Sequence, residues 1–118
     1  MIKTSELTGA ALDWAVSIAE GVSFVHGDCE YELDGRVFQR GGCSVERRYT
    51  TDWAHGGPLI EREMIELVPQ SPALWEAMYR NQHIPHDGPT PLIAAMRCFV
   101  ASKLGDEVDV PYDLIDTN

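Results

Sequence analysis

Gly88-Pro-Thr-Pro-Leu-Ile-Ala-Ala-Met-Arg-Cys-Phe-Val-Ala-Ser-Lys-Leu-Gly105 is the stretch that decides the fold. Thr90 is a good N-cap, because its hydroxyl can accept from an N–H of the first turn that has no helical partner. Pro91 suits the first helical position, where its missing N–H costs nothing. Gly105 can take the left-handed backbone that closes a helix, and Lys103 puts a positive charge on the last turn. Leu92, Ile93, Met96, Phe99, Val100 and Leu104 form one broad apolar stripe at helical spacing. Ala94, Ala95, Cys98, Ala101 and Ser102 make the other side small. A helix with one bulky side and one small side can lie close to backbone on both, so this one is expected at the centre.

The same signals place other elements. Thr8 reads as the N-cap of a helix over about Gly9–Glu20, ended by Gly21. Leu12, Ala15, Val16 and Ala19 share a face, Trp14 with Ala11 and Ile18 lies on an adjoining one, and Asp13, Ser17 and Glu20 form a narrow polar strip. Such a helix is covered on more than one side, and Trp14 reads as core. Val22–His26 reads as a strand. Glu30–Leu33 and Arg36–Gln39 flank Asp34-Gly35 as a hairpin with a type I′ turn. Gly56-Gly57 reads as a tight turn before a short helix over Pro58–Glu63. Ile65–Pro69 extends as a strand. Ser71-Pro72 could cap a helix, but Trp75, Ala77 and Tyr79 alternate as a strand would, which favours strand over Leu74–Tyr79. Asn81–Gly88 reads as a loop. Residues 1–6 offer an edge strand, and Val108 and Val110 can pin an acidic tail that starts near residue 106 and frays at its end.

These elements predict an α+β fold: one layered domain over residues 1–118, with a small, mostly antiparallel sheet including a hairpin, packed against two main helices at about 9–20 and 91–104. The length of 118 residues suits one domain with its own core, and an apolar share of 44% excludes general disorder. The formal charge of −10 disfavours direct nucleic-acid binding, which needs Lys and Arg on phosphates. It leaves open a protein partner with a basic surface. No apolar run approaches a membrane span of roughly 20 residues, and no signal peptide is recognisable. Three unpaired cysteines, Cys29, Cys43 and Cys98, suit a reducing cytoplasm.

Three stretches together resemble a known family. They are Lys3-Thr-Ser-Glu-Leu-Thr-Gly-Ala-Ala-Leu-Asp-Trp-Ala-Val16, Asp52-Trp-Ala-x-Gly-Gly-Pro-Leu-Ile-Glu61, and Gly88–Arg97 continuing through Lys103-Leu-Gly-Asp-Glu-Val-Asp-Val110. In this order they resemble the phage NinX-like family of small bacteriophage and prophage proteins. Residues 26–50 carry little of the likeness. The resemblance implies origin and context, a phage or prophage accessory protein made in a bacterial cytoplasm. It implies no activity, cofactor or catalytic residues. A strand carrying Trp-x-Ala before a Thr-Pro-led helix is also similar to small phage proteins with an α/β/α sandwich.

Chemistry-bearing residues are sparse. His83-x-x-His86-Asp87 and His26-Gly-Asp-Cys29 are each incomplete as a metal set, and they are far apart in sequence. No metal or other cofactor is therefore expected. Cys98 lies on the small side of its helix and reads as packing, while Cys29 and Cys43 lie in or beside the hairpin, where His26 could neighbour them. There is no Gly-rich phosphate motif. The residues singled out for ligand binding are Asp52, Trp53, His55, Gly56, Gly57 and Arg97. Trp53 could stack on a ligand whose anionic group meets Arg97. The structural reading of Arg97 is a pair with an acid that locks helix to loop, since its charge must find a carboxylate, a carbonyl or water. The leading expectation is a non-enzymatic protein that binds a host or phage protein. The alternative is a nucleotide or metabolite binder near Trp53 and Arg97. A homo-oligomer through an edge strand or helix margin is the further option.

Overall fold

The computed structural model describes residues 2–20, 48–80, 82 and 84–110, together with the backbone of strands at 23–24, 30–33 and 36–39. The described core is organised on the helix α3, Pro91–Leu104, with Thr90 at its N-cap and Gly105 at its C-cap. Thr90 Oγ1 accepts from Ile93 N at 3.1 Å, Pro91 is the first residue, and Lys103 sits in the last turn. Gly105 closes the helix with φ 93° and ψ −169°. The positive φ is as expected, but ψ is extended and not left-handed helical, a region essentially confined to glycine.

Both sides of α3 are buried, from Leu92 to Val100 with only Ile93 partly exposed. The small side lies on an antiparallel sheet of β5 (Ile65–Ser71), β6 (Leu74–Tyr79) and β7 (His86–Gly88), in that order. Small residues are required there. A Cβ at Gly88 would come within 2.7 Å of Ala94 N and 2.9 Å of Ile93 Cγ2. On the bulky side, Leu92 and Phe99 meet α2, Trp53–Glu63, whose Arg62 guanidinium lies 5.8 Å from the centre of the Phe99 ring. The remaining helix, α1 (Gly9–Ala19), contributes Leu12, Ala15 and Val16 to the same core, with Trp14 packed against it.

Two short strands tie the chain's ends together. β1 (Ile2–Lys3) pairs antiparallel with β8 (Glu107–Val108), and Ile2 faces Val108. A single 3-10 turn at Thr4–Glu6 follows β1. Thr4 Oγ1 donates to Gly105 O at 2.6 Å, and Val108 and Val110 are buried as expected. A third antiparallel sheet holds β2 (Ser23–Phe24), β3 (Glu30–Leu33) and β4 (Arg36–Gln39), so the strands among the described residues are divided among three small sheets. The β3–β4 pair is the expected hairpin, with Leu33 facing Arg36. Its Asp34-Gly35 turn, Gly21, residues 25–29 and 40–47 and the end of the tail lie outside the described residues.

Several expectations need correction. Gly56-Gly57 is no turn: α2 begins five residues before Pro58 and contains it. The strand β6 is as read, but 86–88 is a third strand and not loop, paired through Trp75–Gly88 to Ala77–His86. Thr8 occupies the N-cap of α1 and is followed by Gly9 at φ 55°, yet its hydroxyl makes no capping bond. Of the polar strip of α1, Asp13 and Ser17 are buried, and Glu20 pairs with Arg62.

Candidate functional site

Five of the six singled-out residues form one corner. Thr50 N donates to Asp13 Oδ1 at 2.9 Å, which ties the chain before α2 onto α1. Burial pushes the Asp13 carboxyl above its ordinary range, against the pull of that hydrogen bond and of the Arg48 charge. The chain then turns, with Asp52 N donating to Arg48 O at 2.9 Å. Arg48 N donates to His55 Nδ1 at 2.8 Å. Asp52 Oδ2 lies 4.0 Å from the same Nδ1.

Asp52 caps α2, accepting from Ala54 N at 2.9 Å. The cap fixes where the first helical residue points, and Trp53 is left 54% exposed. Gly56 explains how the helix starts here. A Cβ on it would run into the Tyr49 carbonyl oxygen and come within 2.7 Å of Leu92 Cδ2. Gly57 has only an ordinary contact, 3.8 Å to Trp53 Cε3. The starts of α2 and α3 thus flank a cleft of about 300 Å³, lined by Thr50, Thr51, Trp53, Thr90, Pro91 and Leu92.

Arg97 lines a different cleft, of about 210 Å³, with Ser5, Glu76, Pro85, His86 and Asp87. Its expected acid partner is replaced by two backbone carbonyls. Nε donates to Leu7 O and Nη1 to Asp87 O, each at 2.9 Å. Burial pushes the guanidinium below its ordinary pKa, with the Asp87 carboxylate pulling it back up. Arg97 therefore fastens the α1 approach and β7 to α3, and no described cleft joins it to Trp53.

A second polar cluster reads as structural. Arg62 donates to both oxygens of Glu20, at 3.1 and 2.7 Å, and to Glu63 Oε2 at 3.1 Å. Tyr79 OH donates to Glu63 Oε1 at 3.0 Å. Burial pushes the Tyr79 hydroxyl up to about 12, and Glu63 adds to the rise. For Glu63 itself, burial works upward, but the Tyr79 and Arg62 donors and the nearby cations hold it below the usual carboxylate range. The cluster joins α1, α2 and β6 and offers no imidazole to activate a nucleophile. Cys98 is buried and its thiol is pushed up to about 11, so it stays protonated. Among the described residues, no three His, Cys, Asp or Glu side chains converge as metal ligands. His26, Cys29, Cys43 and His83 lie outside those residues.

Sequence reading missed Asp13, Tyr49 and Thr50 in this corner. The signal for Asp13 was present: an acid in a helix apolar nearly all round asks for a partner, as Arg97 does.

The family model of the NinX protein of bacteriophage P22 matches residues 3–103. The chain belongs to the NinX family. The match takes in the first two of the resembling stretches whole and most of the third, and it runs through residues 26–50, which carry little of the likeness. It also spans the Trp53 corner and Arg97, so both lie in the family's region of the chain. No curated protein matches the chain. Membership makes this one of a family of phage proteins, and among the described residues no helix is long and apolar enough to cross a membrane.

Proposed function

We propose that this NinX-family chain is a non-enzymatic phage accessory protein that acts in the bacterial cytoplasm by binding a host or phage protein at the Trp53 corner. One observation carries the reading. A tryptophan stands more than half exposed on a capped helix start, beside a cleft with the apolar walls Pro91 and Leu92. Exposed aromatic side chains on rigid elements supply most of the energy at many interfaces, because little conformational freedom is lost when they are covered. The formal charge of −10 favours a partner with a basic surface, through faster encounter and a salt-sensitive complex. The same charge gives no reason to invoke nucleic acid.

Affinity capture from phage-infected bacterial lysate tests this, using the wild-type chain, Trp53→Ala and Met64→Ala. Met64 is 60% exposed at the other end of α2 and serves as the control. A partner held by wild type and Met64→Ala, released by raised salt and weakened roughly 30-fold or more by Trp53→Ala is the expected result. Capture that is equal for all three proteins, or absent from all, overturns the reading.

A further inference from the structure

Arg97 leaves a charge to be accounted for. It is only 8% exposed, and the Leu7 and Asp87 carbonyls satisfy two of its nitrogens without neutralising it. Among the described residues it makes no ion pair, and Nη2 donates no hydrogen bond. The two carbonyls also fix the plane of the guanidinium, which is thereby preorganised in the wall of its cleft.

The rest of that wall has the opposite sign. Asp87 is exposed, and Glu76 is half-buried, with Oε1 taking a hydrogen bond from Gln70 at 3.1 Å. Ser5 adds a hydroxyl. His86 adds no charge near neutral pH, since burial lowers its pKa even with Asp106 and Asp87 pulling upward. A simple anion here would meet Arg97 but be repelled by two carboxylates. A simple cation would meet the carboxylates but be repelled by a buried guanidinium. A ligand carrying both signs satisfies both.

We propose that the Arg97 cleft binds a small zwitterion, its carboxylate on Arg97 and Ser5 and its ammonium on Asp87 and Glu76. This site is separate from the Trp53 corner and does not depend on it.

The test is an NMR titration of the full ¹⁵N-labelled chain with glycine, β-alanine and 4-aminobutyrate, which step the charge separation by methylenes. Acetate and methylammonium are the single-charge probes. The amides of Ser5, His86 and Asp87 report on the cleft, and those of Thr51 and Trp53 serve as distant references. At least one amino acid is expected to give saturable shifts confined to the cleft, about tenfold tighter than either single-charge probe. Asp87→Asn keeps the backbone carbonyl that Arg97 uses, and it should weaken that binding about three- to fivefold with an unchanged melting midpoint. Absence of saturation with all three amino acids overturns the proposal. So does equal binding of acetate, equal binding of methylammonium, or unchanged affinity in both Asp87→Asn and Glu76→Gln.

Discussion

The helices α2 and α3 start alike and end in different roles. Each follows an extended residue whose side-chain oxygen caps the first turn, and each contains a proline. In α3 the proline is first and costs no bond. In α2 it is sixth, and the carbonyl it leaves unbonded is that of Ala54, which is exposed and can turn to water. The interior helix commits nearly every side chain to packing, and two of the three nitrogens of its arginine to backbone carbonyls, with the third left to its cleft. The peripheral helix uses a buried glycine to come close to Tyr49 and Leu92, and it leaves a tryptophan on the outside. Where packing accounts for a residue, function need not be invoked. Trp53 is the large side chain in this comparison that packing leaves unexplained.

The largest expected effect tests whether α3 holds its surroundings through Arg97. Arg97→Met removes two charge-assisted bonds and strands the carbonyl of Leu7, a residue only 1% exposed. A loss of about 2–4 kcal/mol in urea unfolding is expected. Arg97→Lys cannot reach two carbonyls in fixed planar geometry and should fall between that value and wild type. A stability of Arg97→Met within about 0.5 kcal/mol of wild type would remove the clasp.

The next test separates adjacent glycines of α2. At Gly56 a methyl group collides with backbone oxygen, so Gly56→Ala should destabilise by about 1–3 kcal/mol despite the better helix propensity of alanine. At Gly57 the space is open to ordinary contact, and Gly57→Ala should stabilise by about 0.5–1 kcal/mol. Shifts of the same sign in thermal denaturation would refute the close approach of α2 to Tyr49 as the reason for glycine at 56.

The same contrast explains what could be read in advance. The signals for α3 are local: Thr90, Pro91 and Gly105 each act within a turn of where they stand. The start of α2 was hidden because Gly-Gly-Pro has turn propensity, and the contact that overrides it comes from Tyr49 and from Leu92, which is distant in sequence. The strand at 86–88 has three residues and exists through its register with Trp75–Ala77, which no local pattern displays. Asp52, Trp53, His55, Gly56 and Gly57 are legible as one locality because they all fall between positions 52 and 57. Linking Arg97 to them required tertiary information, and the backbone carbonyls that hold Arg97 leave no mark in a sequence.

The smallest effect compares two threonines of almost identical backbone. Thr8 has φ −143° and ψ 166°, and Thr90 has φ −133° and ψ 157°; both are exposed N-caps. At Thr90 the hydroxyl accepts from Ile93 N, and Thr90→Ala should cost about 1 kcal/mol. Both carbonyls take the N–H four residues on, from Leu12 at 3.3 Å and from Ala94 at 3.0 Å, but the Thr8 hydroxyl takes none. Thr8→Ala should therefore stay within about 0.3 kcal/mol of wild type in the same denaturation series. Neither substitution touches the core, so the difference isolates the capping bond from threonine's intrinsic preference for the position. Equal losses would mean that the preference, and not the bond, sets the helix start.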